Sequence, residues 1–192
     1  TIYAEIFGVD ETQIIKAAEA LQTEMNEDER EQLTMLIYGP KDETTARAWI
    51  RVQRENLAEQ THNPATIETQ GETDIETQGE TDKEFVAFAR FSQEPDEDSL
   101  GENARSALDW ENTGEKFMSP KQRMLAGEMY RRTKGKQLDE KHFTMSPGSR
   151  SEHGSVPCLR FTPASNEIRL GNVRPEFRGQ YYGVRRIVSK EL

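Results

Sequence analysis

Arg174, Phe177, Arg178, Tyr181, Tyr182, Arg185, Arg186 and Lys190 fall within seventeen residues, and this alternation of cations with flat rings is the most chemically suggestive pattern in the chain. Guanidinium groups fork onto phosphate oxygens, and tyrosine or phenylalanine faces accept stacked bases. A polyanion, nucleic acid above all, is the ligand such a set fits. The competing reading is an edge strand whose aromatics enter a core while its arginines solvate the outer face.

A second basic run, Arg131, Arg132, Lys134, Lys136 and Lys141, extends the polyanion-binding set. It follows a predicted helix, where cations are also favoured simply by the helix dipole. Arg47, Arg51 and Arg54 recur at i, i+4 and i+7 beside an apolar stripe, the spacing of a reader helix in a helix-turn-helix. Neighbouring Glu55 and Glu59 make a solvated, ion-paired face the default there. His142, His153 and Cys158 match no zinc spacing, so no metal and no cofactor is expected. Cys158, within Val156-Pro-Cys-Leu, reads as a buried small apolar residue rather than a nucleophile, and no catalytic residue is assigned. No carboxylate stands out from the acidic background of the front half by its position.

The run Lys121-Gln-Arg-Met-Leu-Ala-Gly-Glu-Met-Tyr130 resembles the short helical segment that opens sugar O-acetyltransferases. The resemblance covers about ten residues. It implies an acetyl-transferring enzyme in which a left-handed β-helix of hexapeptide repeats follows and carries the catalytic histidine. The residues after Tyr130 show no such repeat, and no active-site residue is carried over.

The elements that must position these residues divide the chain. Asp10 and Gln13 precede Ile14, Ala17, Ala18, Leu21 and Met25, which recur on one helical face. Asn26 with Glu29 forms a capping-box pair for a second helix that would carry Leu33, Leu36 and Ile37 inward and stop at Gly39-Pro40. A third helix starts from Asp42 with Ala46, Trp49, Ile50 and Leu57 as its stripe, and Ile2–Phe7 is expected as a strand or extended arm. Thr81 and Glu84 predict another helix over Phe85–Phe91, and Ser119-Pro120 opens one over Lys121–Arg132. Val156–Thr162 and Glu167–Val173 flank Pro163-Ala-Ser-Asn166 as a β-hairpin, with Tyr181–Ser189 as a third strand.

Between these halves the octapeptide Ile67–Asp74 is repeated without change as Ile75–Asp82. Two identical acidic copies cannot fit two differently shaped core environments, so a solvated connector is expected. Residues 1–115 carry about −19 and residues 116–192 about +9, which make the −10 of the 192-residue chain. The predicted class is α+β: a helical acidic module over 1–60, a linker over 61–83, a short helix and polar connector over 84–115, and a basic mixed module over 116–192. No apolar run reaches membrane-spanning length and Thr1–Phe7 lacks a signal-peptide pattern, so a cytoplasmic location is expected. The functional expectation is a non-enzymatic adaptor that holds a protein partner and touches nucleic acid or an acidic surface through its basic module. The alternative is a structural subunit of a virion or multisubunit complex, ordered by its neighbours.

Overall fold

A computed structural model describes residues 1–43, 47–52, 84–151 and 153–192, and within these the chain is α+β. The tandem octapeptides and the expected linker lie outside the described residues, as do Arg54, Leu57 and Ala46.

Thr1 caps helix α1 (Ile2–Phe7) by accepting from the Ala4 amide, and Gly8 ends it at φ 65°, in the left-handed region that favours glycine. The expected extended arm is therefore a helix. Tyr3 is its anchor: the ring is buried and its hydroxyl donates to the Leu125 carbonyl at 3.2 Å. Helix α2 (Glu11–Glu24) starts from Asp10 as predicted and buries Ile14, Ala18 and Leu21. Asn26 and Glu29 close the predicted capping box of α3 (Glu27–Gln32), but this helix ends after six residues.

Leu36 and Ile37 belong instead to strand β1 (Met35–Gly39), in which Ile37, Tyr38 and Gly39 are all buried. A helix could have turned only one stripe inward, whereas a strand covered on both sides buries consecutive residues. The same physics corrects the helix expected at Phe85. Phe85–Ala89 is β2, the central strand of a three-stranded antiparallel sheet in the order β1, β2, β7, with β7 covering Ile187–Glu191. All five β2 residues are buried. Helix α2 packs with β2, and α6 (Pro120–Lys134) packs with β1.

Residues 47–52 form helix α4, and Ala107–Glu111 forms α5. The start of α6 is as predicted: Ser119 and Gln122 make a capping box, with Pro120 in the first turn. Beyond it, β3 (Phe143–Met145), β4 (Val156–Thr162), β5 (Glu167–Val173) and β6 (Tyr182–Gly183) build a second sheet in the order β5, β4, β3, β6. The β4–β5 hairpin has the predicted bounds and loop, with Asn166 at φ 50°. The residues after Tyr130 thus make a largely antiparallel sheet, not the β-helix that the acetyltransferase resemblance implies.

The third strand expected over Tyr181–Ser189 is split. β6 pairs parallel with β3 in the second sheet, while β7 pairs with β2 in the first, and Val184–Arg186 crosses between them. The proposed modules 1–60 and 116–192 consequently share one core: Ile14, Ile37, Val86, Leu125 and Ile187 belong to a single apolar cluster.

At the crossing lies a buried charge network. Asp139, at φ 59°, accepts from Arg123 Nε at 2.6 Å, from Arg185 Nη2 at 2.6 Å and from the Thr144 hydroxyl at 2.7 Å. Arg185 also donates to the Ser92 and Gln93 carbonyls, at 3.1 and 2.9 Å. Gly127 makes room for this group, since a Cβ there would lie 2.6 Å from Arg123 Nη1. Burial alone would push the Asp139 carboxyl up, but the two guanidiniums outweigh it and hold it below its ordinary value.

Candidate functional site: a ring-and-arginine face on the four-stranded sheet

Side chains alternate across a strand, so the β4 residues divide between two faces. Leu159 and Phe161 pack with Ile168 of β5 under Ala48, Trp49 and Val52 of α4. Val156 and Met145 point the other way, under Ala107 and Trp110 of α5. Helix α5 covers only one end of this second face. At the other end Arg169, Arg160, Phe143 and Tyr182 form a row across all four strands, set by the pairings Arg160↔Arg169, Thr144↔Leu159 and Phe143↔Tyr182.

The rings in this row are pre-arranged. Phe143 and Tyr182 stack with centroids 4.7 Å apart and planes 7° from parallel. Phe177 meets Tyr182 edge-on at 5.0 Å, and His142 stacks on Tyr181 at 6.2 Å. The Arg160 guanidinium lies 5.4 Å from the Phe143 centroid, a cation–π contact. Gly179 is required at the corner, because a Cβ there would stand 2.9 Å from the rings of both Phe177 and Tyr182.

Phe177, 40% exposed, lies here through its contact with Tyr182, while Tyr181, 57% exposed, stacks on His142. Arg169, on the opposite edge strand β5, is exposed and lies 4.0 Å from Glu167, and Arg174 and Arg178 are exposed in the segment that follows β5. Arg160 Nε is buried without a hydrogen-bond partner, although the same guanidinium reaches the Glu140 carbonyl. Glu94 is the nearby carboxylate with fixed duties: it accepts from the Lys141 and His142 amides and from the His142 ring at 3.1 Å. Burial pushes the Tyr182 hydroxyl up, which keeps the phenol neutral. Chemically the face offers stacking surface, cations and unfilled donors.

Of the residues predicted to bind a polyanion, Tyr182 is the one that stands in this row; Tyr181 stacks on His142, each one residue before a member of the Phe143–Tyr182 pair, and Arg178 donates to the Ala104 carbonyl. The rest lie elsewhere. Arg185 is 1% exposed and its guanidinium is spent on Asp139, Thr144 and two carbonyls, so it cannot meet a phosphate. Arg186 donates to Glu115 and Asp98, both at 2.8 Å, and to Asp96 at 3.3 Å, while lying 5.3 Å from the Trp110 centroid. Lys190 pairs with Glu24 of α2. Arg131, Arg132, Lys134 and Lys136 lie at the C-terminal end of α6, where Arg132 pairs with Glu128 and Lys134 sits 5.1 Å from the Phe91 centroid. Arg51, on α4, reaches Glu43 and Glu128 rather than serving a reader helix.

Phe143, Arg160 and Arg169 escape sequence reasoning because they lie on three strands and only register aligns them. Their periodicity in β4 and β5 was the available signal. Asp96, buried at 2% exposure, has its carboxyl pushed up by desolvation, an effect that no local motif announces. Cys158 is buried, as expected of a small apolar residue, and burial pushes its thiol up to about 12. No group of His, Cys, Asp and Glu suited to a metal ion occurs among the described residues, and no helix of them is long and apolar enough to cross a membrane.

Comparison with protein-family models, with curated proteins and with solved structures returned no match.

Proposed function

We propose that this chain is a non-enzymatic binding protein whose four-stranded sheet takes single-stranded nucleic acid. The observation that carries the reading is the Phe143–Tyr182 stack, met edge-on by the exposed Phe177 and continued across the sheet by Arg160 and Arg169. Unpaired bases can splay onto such rings, whereas a duplex keeps its base faces stacked inside. Sequence preference is not built in, because every base has a π face. Ala48, Trp49 and Val52 of α4 pack against the other face of this sheet, and the outer faces of α2 and α3 are left for a protein partner.

The test is fluorescence anisotropy with a short labelled single strand, titrated at several salt concentrations. Phe177→Ala should weaken binding by about 1–3 kcal/mol, the usual worth of one base–aromatic stack. The slope of log affinity against log salt should stay unchanged, since stacking releases no counterions. A folded wild-type chain that ignores single strands at low salt would defeat the proposal. In that event the exposed rings are better read as contacts of a structural subunit in a larger assembly.

A further inference from the structure

We infer that the open edge of β7 is a strand-addition site for an extended peptide of a partner protein, paired antiparallel at Ser189. This is independent of the nucleic-acid reading, since no residue of the ring face lines either of the two cavities involved.

β7 is an outer strand of its sheet, and the hydrogen bonds around it fix which residues serve which edge. Successive residues of an antiparallel strand turn their N–H and C=O groups to opposite sides. Leu192 donates its amide to the Glu84 carbonyl at 2.9 Å, so Val188 and Lys190, in step with it, face β2. On the other side the Met118 amide donates to the Arg185 carbonyl at 2.9 Å and the Ile187 amide to the Lys116 carbonyl at 3.0 Å, around the Phe117–Arg186 bridge. The backbone groups of Ser189, in step with Ile187, therefore face outward.

Residues 116–118 cover this edge only as far as Ile187. The line stops there because Gly114, at φ 74°, donates back to the Glu111 carbonyl of α5. The N–H and C=O of Ser189 are left without a partner among the described residues, and Ser189 is half-buried, so another chain can reach them. A donor and an acceptor on one residue, in line with an existing ladder, match the C=O and N–H of one residue of another extended chain. A strand that continues the line of residues 116–118 runs antiparallel to β7.

The register also places the added side chains. The Lys121 ammonium lies 5.3 Å from the Phe85 centroid, so the face of the sheet that carries Phe85 looks toward α6. Phe85 pairs with Glu191 and Ala87 with Ser189, which puts Ser189 on that same face, whereas Lys190 points to the other and meets Glu24 of α2. A cavity opens beside the edge on each face. The one toward α6 measures about 490 Å³ and has Phe85, Phe117 and Ile187 among its walls. The one toward α3 measures about 450 Å³ and includes Gln32, Leu33 and Arg90. Ser189 lines both.

The added residue opposite Ser189 sends its side chain into the first cavity, and its two neighbours send theirs into the second. Charges of both signs rim each cavity, so recognition rests on the backbone and on the rings of Phe85 and Phe117, not on net charge. The partner segment is one with an apolar residue opposite Ser189 and polar neighbours. That apolar residue cannot be proline, whose nitrogen has no proton to give.

The experiment pans a phage-displayed random peptide library on the full chain and resynthesises the enriched peptide with one backbone N-methyl group at a time. N-methylation of the apolar residue should weaken binding about tenfold, because it removes the donor to the Ser189 carbonyl. At the two neighbours, whose amides point away from β7, it should leave affinity unchanged. Bound peptide should slow hydrogen exchange of the Ser189 amide, followed by NMR. Ser189→Pro should abolish binding yet keep the ladder with β2, since the N–H it removes faces outward. Urea unfolding checks that this variant folds, and the N-methyl series decides the matter even where it does not. No enriched peptide, an N-methyl series without alternation, a Ser189 amide that exchanges at its free rate in the complex, or a folded Ser189→Pro that binds as wild type would each overturn the proposal.

Discussion

Replacing Asp139 by Asn should be among the most damaging single changes to stability in this protein. The side chain accepts three short hydrogen bonds, from Arg123, Arg185 and Thr144, and both arginines are essentially unexposed. Asn keeps the volume but removes the only carboxylate among these contacts, leaving two buried guanidiniums without the counter-charge they share at hydrogen-bond distance. Breaking a buried pair by removing one partner costs about 3–5 kcal/mol. Since a domain is stable by only about 5–15 kcal/mol, the loss should show as a large fall in the urea midpoint with little change in slope. The pH dependence gives a sharper check. The Asp139 carboxyl is held below its unfolded value, so its contribution is complete above the unfolded carboxylate range near pH 4 and fades as pH falls through the folded value. The gap between wild type and variant, followed by urea unfolding from pH 7 to pH 3, should therefore narrow in acid. A gap below about 1 kcal/mol at pH 7, or one that widens in acid, would refute the argument that Asp139 offsets the two buried guanidiniums.

Gly127→Ala should lower stability by about 1 kcal/mol, although the same change inside a helix ordinarily gains about that much, because the new methyl meets Arg123. A raised melting temperature by differential scanning fluorimetry would show that Arg123 is free to move. Cys158 should resist iodoacetamide at neutral pH in the native protein and react in urea, since burial keeps it a thiol. Selective native labelling, read by mass spectrometry, would contradict its placement.

Several features were legible in sequence because their cause is local. The Ser119-Pro120 helix start, the Asn26–Glu29 box and the Pro163–Asn166 hairpin loop depend on backbone groups a few residues away, and each stands where it was predicted. The charge asymmetry and the octapeptide duplication are likewise properties of the chain alone. Tertiary packing decided the rest. Phe85–Ala89 and Leu36–Ile37 could be helix or strand by their own pattern, and burial of consecutive residues, with α2 packed on β2 and α6 on β1, made them strands. Arg185 and Arg186 look alike in sequence. The crossing between the two sheets turns the first inward to Asp139 and the second outward to three carboxylates, because successive side chains of extended backbone point opposite ways. Phe143, Arg160 and Tyr182 become neighbours only through strand register, a relation between distant segments that no local window contains.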